Sequence, residues 1–254
     1  MTSPARARPR LIVFSVSHFG ERARWALDRA GIVYDEERWA PGLHAWRAKR
    51  LGLPRTQVPV LVGTDGAMLQ GSEAILDALD PPGGDAEIEA RCVRAIGPLV
   101  RRYLYSAALD DPRSGVREAL LTGVPPGEAR LARLVWPLTR LLMRKGFRAS
   151  PEHLPELSRR LGAELAWLGE TLAARGGAHL VGGAFGRADL TAAALLSPLL
   201  APPQCPVGDL YGSIRLPPAV SDEIARWRAE PALAFVARIY AEHRRGETNG
   251  RLPG

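Results

Sequence analysis

The chain has 254 residues and a formal net charge of +7, with 46% hydrophobic and 24% charged residues. This composition is typical of a folded protein with one large or two ordinary domains, and it excludes a disordered chain. No apolar run reaches the roughly 20 residues that span a bilayer, so we expect no membrane partner. The two cysteines, Cys92 and Cys205, lie far apart without a CxxC motif, which argues against a disulfide framework, a zinc site or dithiol chemistry.

The positive charge does not by itself indicate nucleic-acid binding. Nearly all basic residues are arginine, with Lys49 and Lys145 the only lysines, and this pattern is typical of a G+C-rich genome. In the predicted helix at residues 21–30 the arginines alternate with acids, as on a solvated helix face. We expect no nucleic-acid partner, and an acidic small substrate fits the charge at least as well. The basic first ten residues lead directly into a strand and not into a signal sequence, so we expect a cytoplasmic protein.

The first eighty residues predict an α/β unit. Short apolar runs predict strands at residues 11–14, 32–34, 58–62 and 67–69. Helical spacing predicts helices at residues 21–30 and 72–79, and a weaker helix or irregular connection at residues 41–53. Residues 15–20 are predicted to form a loop.

Pro59 is unusual because it stands among apolar residues at the start of a strand, where a proline has no N–H for the sheet. One explanation is a cis peptide bond after Val58. The backbone groups before the proline would then point outward and could bind an extended peptide as an added strand. About a dozen residues later, Ser72 begins a helix whose hydroxyl and free N–H groups can bind a carboxylate. The two features together predict a site for a short acidic peptide.

A dense cluster of helix breakers predicts a linker at residues 81–87. It separates a predicted domain at residues 10–80 from an all-helical domain at residues 88–245. Apolar periodicity predicts helices at residues 88–109, 131–143, 154–172 and 188–200 and around residues 224–227 and 233–240. Pro137 is predicted to kink its helix, and the apolar run 188–200 to be the buried central helix.

Four motifs resemble those of the cytosolic glutathione transferases, in the same order and spacing, and the resemblance covers roughly residues 10–245. The start of the family's first helix, in its serine-type form, is similar to SHFGERARWAL at residues 17–27. The family's cis-proline segment is similar to PRTQVPVL at residues 54–61. Its Glu-Ser-x-Ala-Ile motif resembles LQGSEAIL at residues 69–76, and its C-terminal folding motif resembles FGRADL at residues 185–190.

The resemblance implies an α/β thioredoxin-like N-terminal domain followed by an all-α helical-bundle C-terminal domain. It implies an enzyme that activates glutathione or another low-molecular-weight thiol for addition to, or substitution on, an apolar electrophile. The thiol would be a cosubstrate, with no tightly bound cofactor and no metal, and the protein would be a homodimer. The loop before the first helix has no cysteine, which argues against the glutaredoxin-like reductases of the same fold.

Ser17 is the candidate catalytic residue. A free thiol titrates near pH 8.5, so only a few per cent is ionised at neutral pH. A hydroxyl that donates to sulfur at a helix N-terminus lowers the pKa of that thiol. The alternative is that Ser17 is only the N-cap of the helix, and Ser15 is the second candidate. His18 is interpreted as a loop residue, with a role as proton donor to the electrophile as the alternative.

The resemblance also implies the residues that bind the thiol, which are Phe19, Arg55, Gln57, Val58, Pro59, Gln70, Gly71 and Ser72. The chain departs from the family at Gly71, where an acid or amide normally recognises the γ-glutamyl amine. Gln70 or Glu73 would have to replace it, or the thiol differs. This departure keeps open a glutathione-independent isomerase, lyase or cyclase on the same scaffold. A non-catalytic ligand-binding or scaffolding protein is the other alternative.

Overall fold

The computed structural model describes residues 7–81, 86–244 and 250–251. A mixed sheet with helices comes first and a mostly helical region follows, which confirms the predicted fold class. The strands are β1 (Arg10–Val13), β2 (Tyr34–Arg38), β3 (Val60–Val62), β4 (Met68–Gln70) and β5 (Gly250–Arg251). The helices of the first region are α1 (His18–Arg29), α2 (His44–Arg50) and α3 (Ser72–Leu79).

The sheet has the strand order β4-β3-β1-β2-β5. β1 lies at its centre, parallel to β2 and antiparallel to β3, and its residues Leu11, Ile12 and Val13 are completely buried. This burial explains why β1 is a continuous apolar run. The two-residue strand β5, which no sequence pattern predicts, pairs in parallel with β2 at Tyr34 and Asp35.

The second region begins with α4 (Ala86–Arg91), a π-helical turn (Cys92–Ile96) and α5 (Gly97–Ala108). It continues with α6 (Val116–Leu121), α7 (Pro126–Leu134), α8 (Trp136–Phe147), a 3-10 turn (Pro151–His153) and α9 (Leu154–Ala174). The last helices are α10 (Arg187–Leu200), α11 (Gly208–Ser213), α12 (Pro218–Arg228) and α13 (Pro231–His243). None of the helices in the described ranges is both long and apolar enough to cross a membrane.

α10 is the buried central helix, as predicted, and most of its side chains are inaccessible to solvent. Its N-terminus is capped by Asp189, whose Oδ2 accepts a hydrogen bond from the Gly186 N–H at 2.8 Å. The other carboxylate oxygen accepts from the Leu180 N–H at 2.7 Å. The aspartate therefore stabilises this helix start although its N-cap, Gly186, has no side chain.

In the helical region one sequence expectation is wrong and another stays untested. Pro137 does not kink a helix, because α7 ends at Leu134 and Pro137 lies in the first turn of α8, where proline is well tolerated. Residues 82–85 of the predicted linker lie outside the described residues, and α4 begins at Ala86. The domain boundaries at residues 80 and 88 therefore stay a prediction.

The expectation of a solvated charged face on α1 is wrong. Glu21, Arg22 and Arg24 are all completely buried, because α1 packs between the sheet and α10 and each charge meets a partner there. Arg24 Nε donates to Glu36 Oε2 at 2.6 Å, and Arg244 Nε donates to Glu21 Oε1 at 2.9 Å. Although burial opposes ionisation of Glu36, the neighbouring guanidinium groups hold its pKa at about 2.

Candidate active site

A cavity of about 590 Å³ lies between the α/β unit and the helical region. This volume suits a ligand of small-molecule size. The first region contributes the loop that precedes α1, the start of α2 and the segment before β3. The helical region contributes mainly α5, α8 and the segment around α11. Of the nine predicted site residues, four line the cavity: Ser17, Phe19, Gln57 and Val58. The other five do not: Arg55, Pro59, Gln70, Gly71 and Ser72.

Ser17 is both a helix cap and a cavity-lining hydroxyl. It is the N-cap of α1, and its Oγ accepts a hydrogen bond from the Gly20 N–H at 3.0 Å. A hydroxyl accepts through its lone pairs and still has one hydrogen to donate. Capping therefore leaves the Ser17 O–H able to donate to a sulfur in the cavity, at the positive end of the α1 dipole. The two roles weighed from the sequence are compatible.

Ser15 has a structural environment. It is completely buried, and its Oγ lies 2.6 Å from the Thr122 carbonyl oxygen and 3.3 Å from that of Leu120. The hydroxyl thus joins the loop after β1 to the end of α6 and does not line the cavity. Ser17 is the better placed of the two serines for chemistry.

His18 is the first residue of α1 and not a loop residue as expected. It is 5% exposed, and its Nε2 lies 3.1 Å from the Gly97 carbonyl oxygen. Burial, with a smaller contribution from Arg101, lowers the pKa of His18 to about 3, so the ring is neutral near pH 7. A neutral ring can bond to a carbonyl only through an N–H, which places the proton on Nε2 and leaves Nδ1 as an acceptor. This environment does not suit a cationic proton donor.

Val58 lines the cavity and has unpaired backbone groups. Its peptide bond to Pro59 is cis, as the sequence predicted. β3 begins only at Val60, and the Val58 backbone makes no hydrogen bond within the described residues. Its N–H and C=O can therefore pair with an extended peptide at the cavity wall.

Gln70 does not replace the acid missing at position 71. Its Nε2 donates to the carbonyl oxygens of Arg55, at 2.7 Å, and Gln57, at 3.0 Å, and so holds the segment that leads to Val58. Glu73, the other predicted substitute, is exposed and does not line the cavity.

The backbone conformation at position 71 explains why this residue is a glycine. It is the N-cap of α3 with a φ of 97°, in a region that residues with a β-carbon rarely adopt. The helix begins at Ser72, one residue earlier than it would if Ser72 were the N-cap. A β-carbon at position 71 would lie 3.3 Å from Gln57 Nε2, so the Gln57 amide lies beside the place of the absent side chain.

Replacing Gly71 with glutamine should lower the free energy of unfolding by about 1–3 kcal/mol, because the backbone is strained for any residue but glycine. Urea unfolding followed by circular dichroism measures the change. The matched control is Gly127→Gln in α7, where a β-carbon meets nothing within 4 Å and φ is ordinary. Equal stability of Gly71→Gln and the natural chain would contradict the strain.

Ser72 lies in a buried polar group and not at the cavity. It is 5% exposed, and its Oγ accepts a hydrogen bond from Arg22 Nη1 at 3.1 Å. The same guanidinium group donates to Thr191 Oγ1 at 2.9 Å and to Glu89. A carboxylate ligand would reach the Ser72 hydroxyl only beside an existing ion pair.

The structure adds one residue that sequence reasoning missed, Arg101 of α5. Its guanidinium group lines the cavity, with Cζ 4.5 Å from the centre of the Phe147 ring and 5.7 Å from that of Phe19. One signal was present in the sequence. Residues 97–105 contain no acid, so an arginine at position 101 has no partner within one turn of its own helix.

The two cysteines lie apart from the candidate site. Both are buried free thiols outside the cavity wall. Burial raises the pKa of Cys92 to about 12 and also raises that of Cys205, so both stay protonated. Within residues 7–81, 86–244 and 250–251, no group of His, Cys, Asp or Glu side chains could hold a metal ion.

Comparison with known proteins shows what this chain resembles. Residues 11–81 match the family described as glutathione S-transferase, N-terminal domain. Similar solved structures include glutathione transferase GSTFuA3 of Phanerochaete chrysosporium, with 15% identity, a TM-score of 0.64 and coverage of 93% of this chain and 97% of that chain. No curated protein sequence matches the chain.

Two further structures of similar fold were solved with glutathione. A glutathione S-transferase of Ceriporiopsis subvermispora has 15% identity and a TM-score of 0.60, covering 93% of this chain and 98% of that one. Glutaredoxin 2 of Salmonella typhimurium has 16% identity and a TM-score of 0.52, and the match covers 91% of this chain and 100% of that one. The chain therefore carries a segment similar to the N-terminal domain of glutathione S-transferases, and its overall fold is that of solved glutathione transferases.

Proposed function

We propose that the protein is a glutathione transferase-like enzyme that joins a small thiol to an apolar electrophile in the cavity. The cosubstrate would be glutathione or another low-molecular-weight thiol, and no tightly bound cofactor is needed. The observation that carries the proposal is the Ser17 hydroxyl, which lies at the cavity and at the α1 N-terminus with a hydrogen free to donate. Val58 lines the same cavity, and its unpaired backbone would bind the thiol peptide.

In the proposed reaction the thiol releases its proton to solvent, and the Ser17 O–H donates to the resulting thiolate sulfur. The thiolate attacks the electrophilic carbon and a C–S bond forms. In a substitution the leaving group departs with its bonding electron pair, and in an addition the neighbouring atom takes a proton from solvent. Most of the rate would come from thiolate formation and from holding both substrates in one cavity.

Replacing Ser17 with alanine should lower kcat/KM for thiol conjugation about 10- to 100-fold, because a hydrogen bond to a charged group contributes about 1.5–3 kcal/mol. The acidic limb of the pH–rate profile should move to higher pH, since the thiol loses its donor. Ser17→Thr keeps a hydroxyl and should retain much of the activity. Ser15→Ala is the control, because it should affect stability without moving the limb. An unmoved limb in Ser17→Ala would exclude the proposed role.

Calorimetric titration with glutathione tests the identity of the thiol. Binding in the micromolar-to-millimolar range would support glutathione as cosubstrate. The absence of heat at millimolar glutathione would exclude it and favour the second candidate function, a glutathione-independent isomerase, lyase or cyclase. Two observations favour that candidate: Gly71 carries no acid or amide, and Ser72 is engaged by Arg22 outside the cavity wall.

Two further parts of the proposal follow from the family. We expect a homodimer, which light scattering of the purified protein would measure. A non-catalytic ligand carrier would instead bind apolar ligands equally well in the natural chain and in Ser17→Ala, and neither protein would conjugate a thiol. That pair of results would replace the enzyme with a binding protein.

A further inference from the structure

The cavity has one permanently charged side chain in its wall, that of Arg101. No aspartate or glutamate is among the described residues that line the cavity. The two lining histidines do not add charge near pH 7, because burial lowers the pKa of both His18 and His44. Arg101 therefore gives the interior of the cavity a positive electrostatic potential, in addition to that of the α1 N-terminus.

Arg101 is also without a partner. It makes no hydrogen bond and no ion pair with any residue in the described ranges, and its Nε is sealed from solvent. The contrast with the fully buried arginines is direct, since Arg22, Arg24 and Arg244 each have a carboxylate partner whereas the partly buried Arg101 has none. A desolvated cation without an anion costs free energy, which a bound anion would offset.

The neighbours of Arg101 leave its N–H donors without an acceptor. Its Cζ lies over the rings of Phe147 and Phe19, and neither ring has an oxygen or nitrogen that could accept a hydrogen bond. Tyr105, one turn further along α5, also lines the cavity, and its hydroxyl has no hydrogen-bond partner within the described residues. Burial raises the pKa of this phenol, so it remains a neutral donor. Arg101 and Tyr105 together provide donors for one carboxylate.

We propose that the cavity selects electrophiles that carry an anionic group, and that Arg101, assisted by Tyr105, binds that group. The substrate class would be aromatic or unsaturated electrophiles with a carboxylate, whose apolar part packs against Phe19 and Phe147. Arg101 is thus a specificity-determining residue. The conjugation of such substrates rests on the proposed function. The binding of their anionic group rests only on the residues of the cavity.

The test uses two substrates of equal shape, a chlorodinitrobenzoate and the corresponding chlorodinitrobenzamide. In both, the thiolate of glutathione attacks the carbon that carries chlorine, a C–S bond forms, and chloride leaves with the bonding electrons. After correction for the uncatalysed rates, kcat/KM should be about 10- to 100-fold higher for the benzoate, as expected for a charged hydrogen-bonded pair. In Arg101→Gln this ratio should approach one, and in Arg101→Lys it should be intermediate.

Arg94→Gln is the matched control, because Arg94 is an exposed arginine on the preceding π-helical turn and does not line the cavity. It should leave the ratio unchanged. The melting temperature of each variant reports whether it is folded. The KM for glutathione separates the two sources of a carboxylate. If it rises in Arg101→Gln while the ratio of the two substrates stays the same, Arg101 binds the thiol and the proposal is overturned.

A second measurement needs no chemistry. Calorimetric titration with dinitrobenzoate and dinitrobenzamide, which lack the leaving group, measures binding in the absence of thiol. If dinitrobenzoate binds to the natural chain and not to Arg101→Gln, the anion site is supported even when neither chloro compound reacts. The lack of reaction would then contradict only the proposed function. Equal conjugation of both chloro compounds by the natural chain would leave the transferase in place and exclude the anion site. If neither chloro compound is conjugated and dinitrobenzoate binds no better than dinitrobenzamide, both the proposed function and the anion site are excluded.

Discussion

Replacing Glu89 with glutamine should lower the free energy of unfolding by about 3–5 kcal/mol, the effect expected when one partner of a buried ion pair is removed. Glu89 is 7% exposed and accepts a hydrogen bond from the completely buried Arg22. An arginine cannot lose its proton to escape burial without an anion. In the variant Arg22 would keep only neutral hydrogen-bond partners, the hydroxyl groups of Ser72 and Thr191 and the amide at position 89, and Arg187 would also lose its ion pair with Glu89. Urea unfolding measures the loss.

The matched control is Glu118→Gln. Glu118 pairs with Arg117 and Arg133, but all three side chains are about half exposed, so the loss should stay below about 1 kcal/mol. A double variant tests the cause. Removing the arginine as well, by Arg22→Met in the Glu89→Gln background, should cost much less than Arg22→Met alone. Additive losses would show that the two side chains are not coupled.

Lowering the pH from 6.5 to 5 should lower the free energy of unfolding by about 2 kcal/mol through His18 alone. In the unfolded chain a histidine binds a proton near pH 6.5, whereas burial lowers the pKa of His18 in the folded protein to about 3. Between these values the unfolded state holds one more proton than the folded state. The stability from His18 is therefore present above pH 6.5 and is lost progressively as the pH falls towards 3.

The comparison that isolates His18 is His18→Gln, since a glutamine side chain does not titrate. Urea unfolding at pH 7 and pH 5 should give a smaller difference for the variant than for the natural chain. Contributions from the other histidines and from the carboxylates are common to both proteins and cancel. Identical pH dependence of the two proteins would show that His18 is not held neutral in the folded state.

Much of the fold was predictable because its main signals are local. The apolar run at residues 188–200 is central because nearly all of its side chains are apolar, and this is where α10 lies. β2 was predicted too early, at residues 32–34, because its actual sequence from Tyr34 to Arg38 is mostly charged. Glu36 is buried there only because Arg24 and Arg38 neutralise it. A hydrophobic pattern cannot report a charge that is buried in this way.

The sequence predicted those residues of the candidate site that belong to local motifs. It did not predict the residue whose role depends on side chains packed around it from other helices. Ser17 and Val58 came from the motifs, and both line the cavity. Ser72 was taken as a helix cap because serine is a common one, but the φ of Gly71 places the cap one residue earlier. Arg101 was missed because its importance arises from what surrounds it, the rings of two other helices and the absence of acids in the cavity.

The buried partners of α1 have a consequence for how the molecule folds. Arg22 pairs with Glu89 of α4, and Glu21 pairs with Arg244, the residue that follows α13. A fragment that ended at the predicted linker would carry both α1 charges without their counter-ions, next to apolar surface that α10 covers in the whole chain. The α/β region and the helical region should therefore unfold together and not as independent units. The cavity lies between these two regions, each of which stabilises the other.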